Sequence, residues 1–160
     1  MILLAQTETP VRATAAQAFL VLSNMERFQE WFPGVVSIES GNGLRHGEPG
    51  KKYLETVVVP LMGKRKVTLT VVDAVENLRF VTEGDFRPLL PRMEISISET
   101  TQHQISVHWA MYSRSRHWAV RLLILPMARA VMQKRAHVAA KRLKTLLEQQ
   151  PPHRTESHRP

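Results

Sequence analysis

The chain has 160 residues, no cysteine and a formal net charge of +8. Its length suits one domain around one core, and the missing thiols exclude disulfides, thiolate metal sites and cysteine nucleophiles. A hydrophobic fraction of 43% supports a globular chain, while a pI near 10.4 leaves nucleic acid, anionic lipid or an acidic protein as charge-matched partners.

Residues 2–9 alternate loosely and predict a first strand. The opening MILLAQTETP has no basic leader, so a secretory signal is not expected. With no cysteines present, the expectation is a cytoplasmic protein. Residues 11–36 then predict two short helices. Thr14 can cap the first, and Gln17 three residues later completes a capping box. Ala15, Ala18, Phe19 and Leu22 give that helix an apolar face. Ser23 or Asn24 restarts the chain, Glu26 sits in the new first turn, and Phe28, Trp31 and Phe32 make the second helix aromatic on one side. Pro33-Gly34 stops it.

Strand-like sequence follows. Val35–Ser40, Tyr53–Val59, Lys66–Val75, Leu78–Glu83 and Met93–Ser98 are separated by Gly-, Pro- or Asn-containing loops, and a turn at Thr100–His103 leads to Ile105–Met111. Met62-Gly63-Lys64 is the expected hairpin turn between the second and third of these. Val67, Leu69 and Val71 alternate with Lys66, Thr68 and Thr70. Met93, Ile95 and Ile97 alternate with Glu94, Ser96 and Ser98, and Ile105, Val107, Trp109 and Met111 with Ser106, His108 and Ala110. Alternation of this kind predicts an antiparallel sheet with one face in water.

The last element is one long helix. Trp118, Leu122, Leu125, Arg129, Met132, Ala136, Ala139, Leu143 and Leu146 recur at spacings of four and three, an apolar stripe of heptad type. With no partner helix of similar length, the stripe should lie on the concave face of the sheet. Pro126 either kinks this helix or opens it, with 117–125 as a separate lead-in. The run Trp118–Met132 is broken by Arg121, Pro126 and Arg129 and is too short and charged to span a bilayer. Residues 149–160 hold no apolar content and are expected to be a disordered tail. Much of the positive charge lies beyond residue 112, but no aromatic residue interleaves with it between 133 and 150, which argues against nucleic acid as a partner.

This order resembles the START-like (SRPBCC) superfamily, also called polyketide cyclase/dehydrase-like. The resemblance is carried by Val11-x-Ala13-x-x-x-x-Ala18-Phe19, Leu22-Ser23-Asn24, Phe28-x-x-Trp31-x-Pro33-Gly34-Val35 and Ala140-x-x-Leu143-Lys144-x-x-Leu147-Glu148. It covers residues 1–148, taken as one domain. It implies an α+β helix-grip fold, in which a curved antiparallel sheet of about seven strands wraps a long C-terminal helix. It also implies an apolar pocket between the two. Relatives bind lipids, sterols, quinones, polyketides or plant hormones, some are ring cyclases, and some are co-chaperones.

Inward-facing residues are the candidate cavity lining. On the strands these are Val67, Leu69, Val71, Met93, Ile95, Ile97, Val107, Trp109 and Met111. Leu122, Leu125, Arg129 and Met132 would face them from the helix, with Phe28 and Trp31 at the mouth. The same alternation is equally what a filled core shows. Arg129, the one charge on the stripe, either anchors a ligand carboxylate or phosphate or lays its stem on apolar surface with its head in water.

Glu55, Asp73, Glu94, His108, Tyr53 and Tyr112 are the proton carriers considered, and no pair of them has a spacing that forces a shared site. No metal-ligand spacing, P-loop, dinucleotide fingerprint or G-x-S-x-G occurs, so no cofactor, metal or catalytic residue is assigned. The reading is a binding protein for a hydrophobic small molecule or lipid, non-catalytic or weakly so. The alternatives are a cyclase or dehydratase acting on a polyketide-like substrate, and a protein-interaction module or membrane-surface lipid-handling protein. The last rests on the basic, apolar lead-in HWAVRLLILPMARAV, which could meet an anionic membrane if exposed.

Overall fold

The structure, a computed structural model, describes residues 1–101 and 104–149. The tail expected over 149–160, past Gln149, and part of the turn expected at Thr100–His103 lie outside the described residues. Strand β1 (Ile2–Val11) leads into helix α1 (Ala15–Ser23), a 3-10 turn (Met25–Arg27) and helix α2 (Phe28–Trp31). Six strands follow: β2 (Val35–Ser40), β3 (Lys52–Val59), β4 (Gly63–Val75), β5 (Arg79–Asp85), β6 (Pro91–Thr101) and β7 (Gln104–Ser113). A π-helical turn (Val120–Ile124) runs into the long helix α3 (Leu125–Glu148).

The sheet has seven strands in the order β1-β7-β6-β5-β4-β3-β2, every pair antiparallel. The chain passes from the β1 edge to the β2 edge through α1 and α2, then returns strand by strand to β7. Pro10 is tolerated because β1 is an edge strand and pairs only with β7. Inward residues of the alternating strands are buried, among them Val67, Val71, Ile95 and Val107.

The local signals at α1 behave as the sequence predicts. The Gln17 amide donates to Thr14 Oγ1 at 3.2 Å, and the Thr14 amide donates to Gln17 Oε1 at 3.0 Å. Asn24 caps the following turn by accepting from the Glu26 amide. Pro126 lies in the first turn of α3, as the second reading has it, but the lead-in is not separate: the π-helical turn runs into α3 without a break.

Two expectations need correction. The β3–β4 turn is Pro60–Met62, not Met62–Lys64, because Val59 pairs with Gly63 and Gly63 begins β4 with a positive φ of 72°. The apolar stripe of the long helix is interrupted at Arg129 and lost before Leu125. Ala136, Ala139 and Leu143 are buried, while Leu147 takes the fully buried place expected for Leu146. Trp118, Leu122 and Arg129 are exposed. Leu125, one turn before Arg129, is buried, so the break at Arg129 is local: its guanidinium turns out to the Leu3 carbonyl at the sheet edge. The wider π turn at Val120–Ile124 carries Trp118 and Leu122 off the buried face.

Candidate functional site

Packing between α3 and the sheet changes along the helix. Ala136 and Ala139 have short side chains, so the sheet closes on the later half of α3 and the core there is solid. Trp31, Phe32 and Trp109 plug its edge. Phe28 lies edge-on to Trp31 with centroids 4.7 Å apart and stacks on Phe32 at 4.8 Å, and Phe32 meets Trp109 at 5.2 Å. The earlier half of α3 stands off the sheet and leaves a cavity of about 330 Å³. That lies at the small end of the ~300–1,000 Å³ usual for ligand sites. Ile124, Ala128, Val131, Met132 and Arg135 form its helical wall, and the β3–β4 turn and the β5–β6 loop close its ends.

Phe28, Val67, Leu69, Met93, Met111 and Met132 line this cavity among the residues proposed from sequence. Trp31, Val71, Ile95, Ile97, Val107 and Trp109 are buried instead in the solid core, and Leu125 is buried away from the cavity. The cross-strand register explains the division. Met93 pairs with Met111, then Ile95 with Trp109, then Ile97 with Val107. Each step of two residues moves about 7 Å along the strands. Only the methionine pair lies under the raised half of α3.

Leu122 and Arg129 do not reach the cavity. Arg129 is exposed, and its Nε donates to the Leu3 carbonyl at 3.0 Å, beside the bulge between Leu3 and Ala5 in β1. The charges that line the cavity are Glu55 and Arg135. From sequence, Glu55 is a candidate proton carrier only, and Arg135 is not among the candidate lining residues. A signal existed for the first: Tyr53, Glu55 and Val57 share one face of β3, placing a carboxylate in an inward row. Arg135 follows Met132 by three residues on the same helical face.

Glu55 is buried in the β3 ladder, and among the described residues its carboxylate makes no hydrogen bond or ion pair. Burial pushes its carboxyl up to about 7, and the charge of Arg135 only partly opposes this. Burial also lowers Arg135, with Glu55 opposing. Arg135 is held from two sides. Its Nη2 donates to the Val58 carbonyl at 2.7 Å. Its guanidinium lies against Gly34, where a Cβ would stand 2.4 Å from Cζ. Gly34 also has a φ of 92°, which glycine adopts without strain. A side chain there would displace the guanidinium.

The remaining proton carriers serve elsewhere. Asp73 pairs with Arg79 and Glu94 with Arg92. The buried Tyr53 hydroxyl meets His46 Nδ1 at 2.7 Å, and His46 Nε2 lies 3.7 Å from Glu26. Burial pushes the Tyr53 phenol up to about 12. Tyr53 does not line the cavity, so this chain fastens the loop before β3 to the 3-10 turn. Tyr112 and His108 are outside the cavity as well.

Residues 4–148 match the family described as polyketide cyclase / dehydrase and lipid transport. No curated protein matches the sequence. Among solved structures, the chain is similar to a START superfamily protein from Mycobacterium smegmatis, at 16% identity and a TM-score of 0.68, covering 92% of this chain and 98% of that one. A protein from Deinococcus radiodurans gives 12% identity and a TM-score of 0.66, covering 90% and 96%. The di-domain ARO/CYC protein BexL from the BE-7585A biosynthetic pathway gives 15% identity and a TM-score of 0.63, covering 91% of this chain and 50% of that one. At these identities the likenesses are likenesses of fold.

Proposed function

The chain belongs to the polyketide cyclase / dehydrase and lipid transport family, and from that premise we propose that it binds a hydrophobic small molecule or lipid between the sheet and the first half of α3. The observation that carries this is the cavity itself: about 330 Å³, walled by aliphatic, aromatic and methionine side chains, with Glu55, Thr82 and Arg135 as its polar side chains. Ligand pockets are mostly apolar with a few placed polar groups. Methionines at Met93, Met111, Met127 and Met132 suit a guest of variable shape, because a thioether chain adapts its rotamers. Native mass spectrometry of the purified protein is expected to show a co-purified guest that leaves on denaturation. A bare protein that also fails to bind a broad panel of apolar molecules would overturn the reading.

Two observations favour additional readings. A carboxyl that titrates near 7 inside a cavity is suited to moving a proton at neutral pH, which supports cyclase or dehydratase chemistry with Glu55 as acid or base. The exposure of Leu61, Trp118, Leu122 and Leu123 supports contact with a membrane surface. Leu61 belongs to the cavity wall, and Met62 and Met127 beside it are exposed as well, so the apolar rim continues into the pocket. Lys64, Arg65, Arg116 and Arg121 are exposed cations near these residues in sequence, which suits an anionic lipid. No helix among the described residues is long and apolar enough to cross a membrane.

A further inference from the structure

We propose that Glu55 and Arg135 form a proton-linked receptor for a carboxylic acid, so that the cavity takes an apolar carboxylate together with one proton. The proposal rests on the binding reading above and names the head group that reading leaves open. Its basis is the placement of the two charged side chains of the cavity wall. They line the same space, Glu55 from β3 and Arg135 from α3, and they do not close an ion pair with each other.

Arg135 is oriented by Val58 and Gly34, and the Val58 contact engages Nη2, leaving other guanidinium N–H groups for an acceptor. A carboxylate is the acceptor whose shape matches the guanidinium fork. Arg135 alone leaves a positive charge on an apolar wall. A carboxylate alone beside ionised Glu55 would set two negative charges together. With Glu55 protonated, the guest carboxylate balances Arg135 and accepts a hydrogen bond from the Glu55 hydroxyl. The loaded site then carries no net charge, which an apolar wall favours. The proton comes from solvent and stays on Glu55 Oε while the guest is bound.

The neighbours of Glu55 leave Arg135 as the charge that acts on it. On β2 and β4 its register partners are Ile38 and Val67. Tyr53, on its own strand, is directed to His46 and to the Ser23 carbonyl, and His46 faces Glu26. Lys66 and Lys134, next in sequence to Val67 and Arg135, are exposed. Burial that holds the Glu55 carboxyl near 7 puts the exchange of this proton in the neutral range.

The test is binding of decanoate and of decanol to the whole protein across pH 6 to 8.5, a range in which decanoate stays ionised because carboxyls titrate near ~4–5. Decanoate is expected to bind about thirtyfold more tightly at pH 6 than at pH 8.5, and decanol equally at both. Glu55→Gln keeps a hydrogen-bond donor and removes the charge. It should bind decanoate without pH dependence, at the affinity the native protein shows at pH 6. Arg135→Met should weaken decanoate and spare decanol. A native protein indifferent to pH, or a Glu55→Gln protein with the native pH dependence, would overturn the proposal while decanol binding left the cavity reading standing. Failure of both probes to bind would overturn the cavity reading and this proposal with it.

Discussion

An ionised Glu55 is a charge held against an apolar wall, and the chain carries that charge at a cost. Its carboxyl titrates near 4.5 when unfolded and near 7 when folded, because burial disfavours the anion. The folded state therefore keeps the proton to higher pH. Stability contributed by this group is intact below pH 4.5, declines between 4.5 and 7, and stays lowered above 7. The full difference is on the order of 3 kcal/mol. Glu55→Gln should thus leave stability nearly unchanged at pH 4 and raise it by about 3 kcal/mol at pH 8. Urea unfolding at the two values measures this, and an equal effect at both would refute the account. A destabilising charge on a cavity wall is the pattern expected where binding, not folding, sets the residue. Alternation along β3 made the inward position of Glu55 legible. Its solitude was not, because Arg135 and the neighbouring strands come from distant sequence.

At the scale of elements, the π turn and the β3–β4 turn expose apolar side chains that a core would otherwise absorb. Leu61 is 96% and Leu123 77% exposed. Sequence periodicity assigned Leu122 to the buried stripe, and it could not see the turn that rotates it outward. The capping box at Thr14, by contrast, was legible, since Thr14 and Gln17, three positions apart, form it alone. So was the strand alternation, which needs only a period of two. Replacing Leu122 and Leu123 together by serine should reduce binding to vesicles containing anionic lipid by tenfold or more, as each leucine withdrawn from lipid forfeits roughly 1–2 kcal/mol. Binding of the native protein should fall as salt rises, because the cations beside these leucines are screened. Co-sedimentation that ignores the leucines, the lipid charge and the salt would remove the membrane reading. The fold should be undisturbed by the substitutions, since both side chains are already in water.

The whole molecule is a sheet that closes on one half of a helix and stands off the other, and the stand-off has a steric consequence that can be measured. Fold class was legible from element order alone. The boundary between solid core and cavity was not, because Met93, Ile95 and Ile97 look alike in sequence and differ only in which part of α3 lies above them. Ala128 lies on the cavity wall, one helical turn before Met132. In a filled core, Ala128→Trp would force its neighbours apart and cost roughly 1–3 kcal/mol. Projecting into an open cavity, the indole has space and gains apolar contact. The remaining cost is the helix propensity of tryptophan relative to alanine, about 0.5 kcal/mol. The expected outcome is a melting temperature within a few degrees of the native protein, together with loss of decanol and decanoate binding. A large drop in melting temperature would mean that the sheet and α3 are packed against each other along their whole length. A stable protein that still bound both probes would mean that they bind elsewhere. The same substitution thus separates stability from occupancy, since the void that weakens the core is the volume a guest would fill.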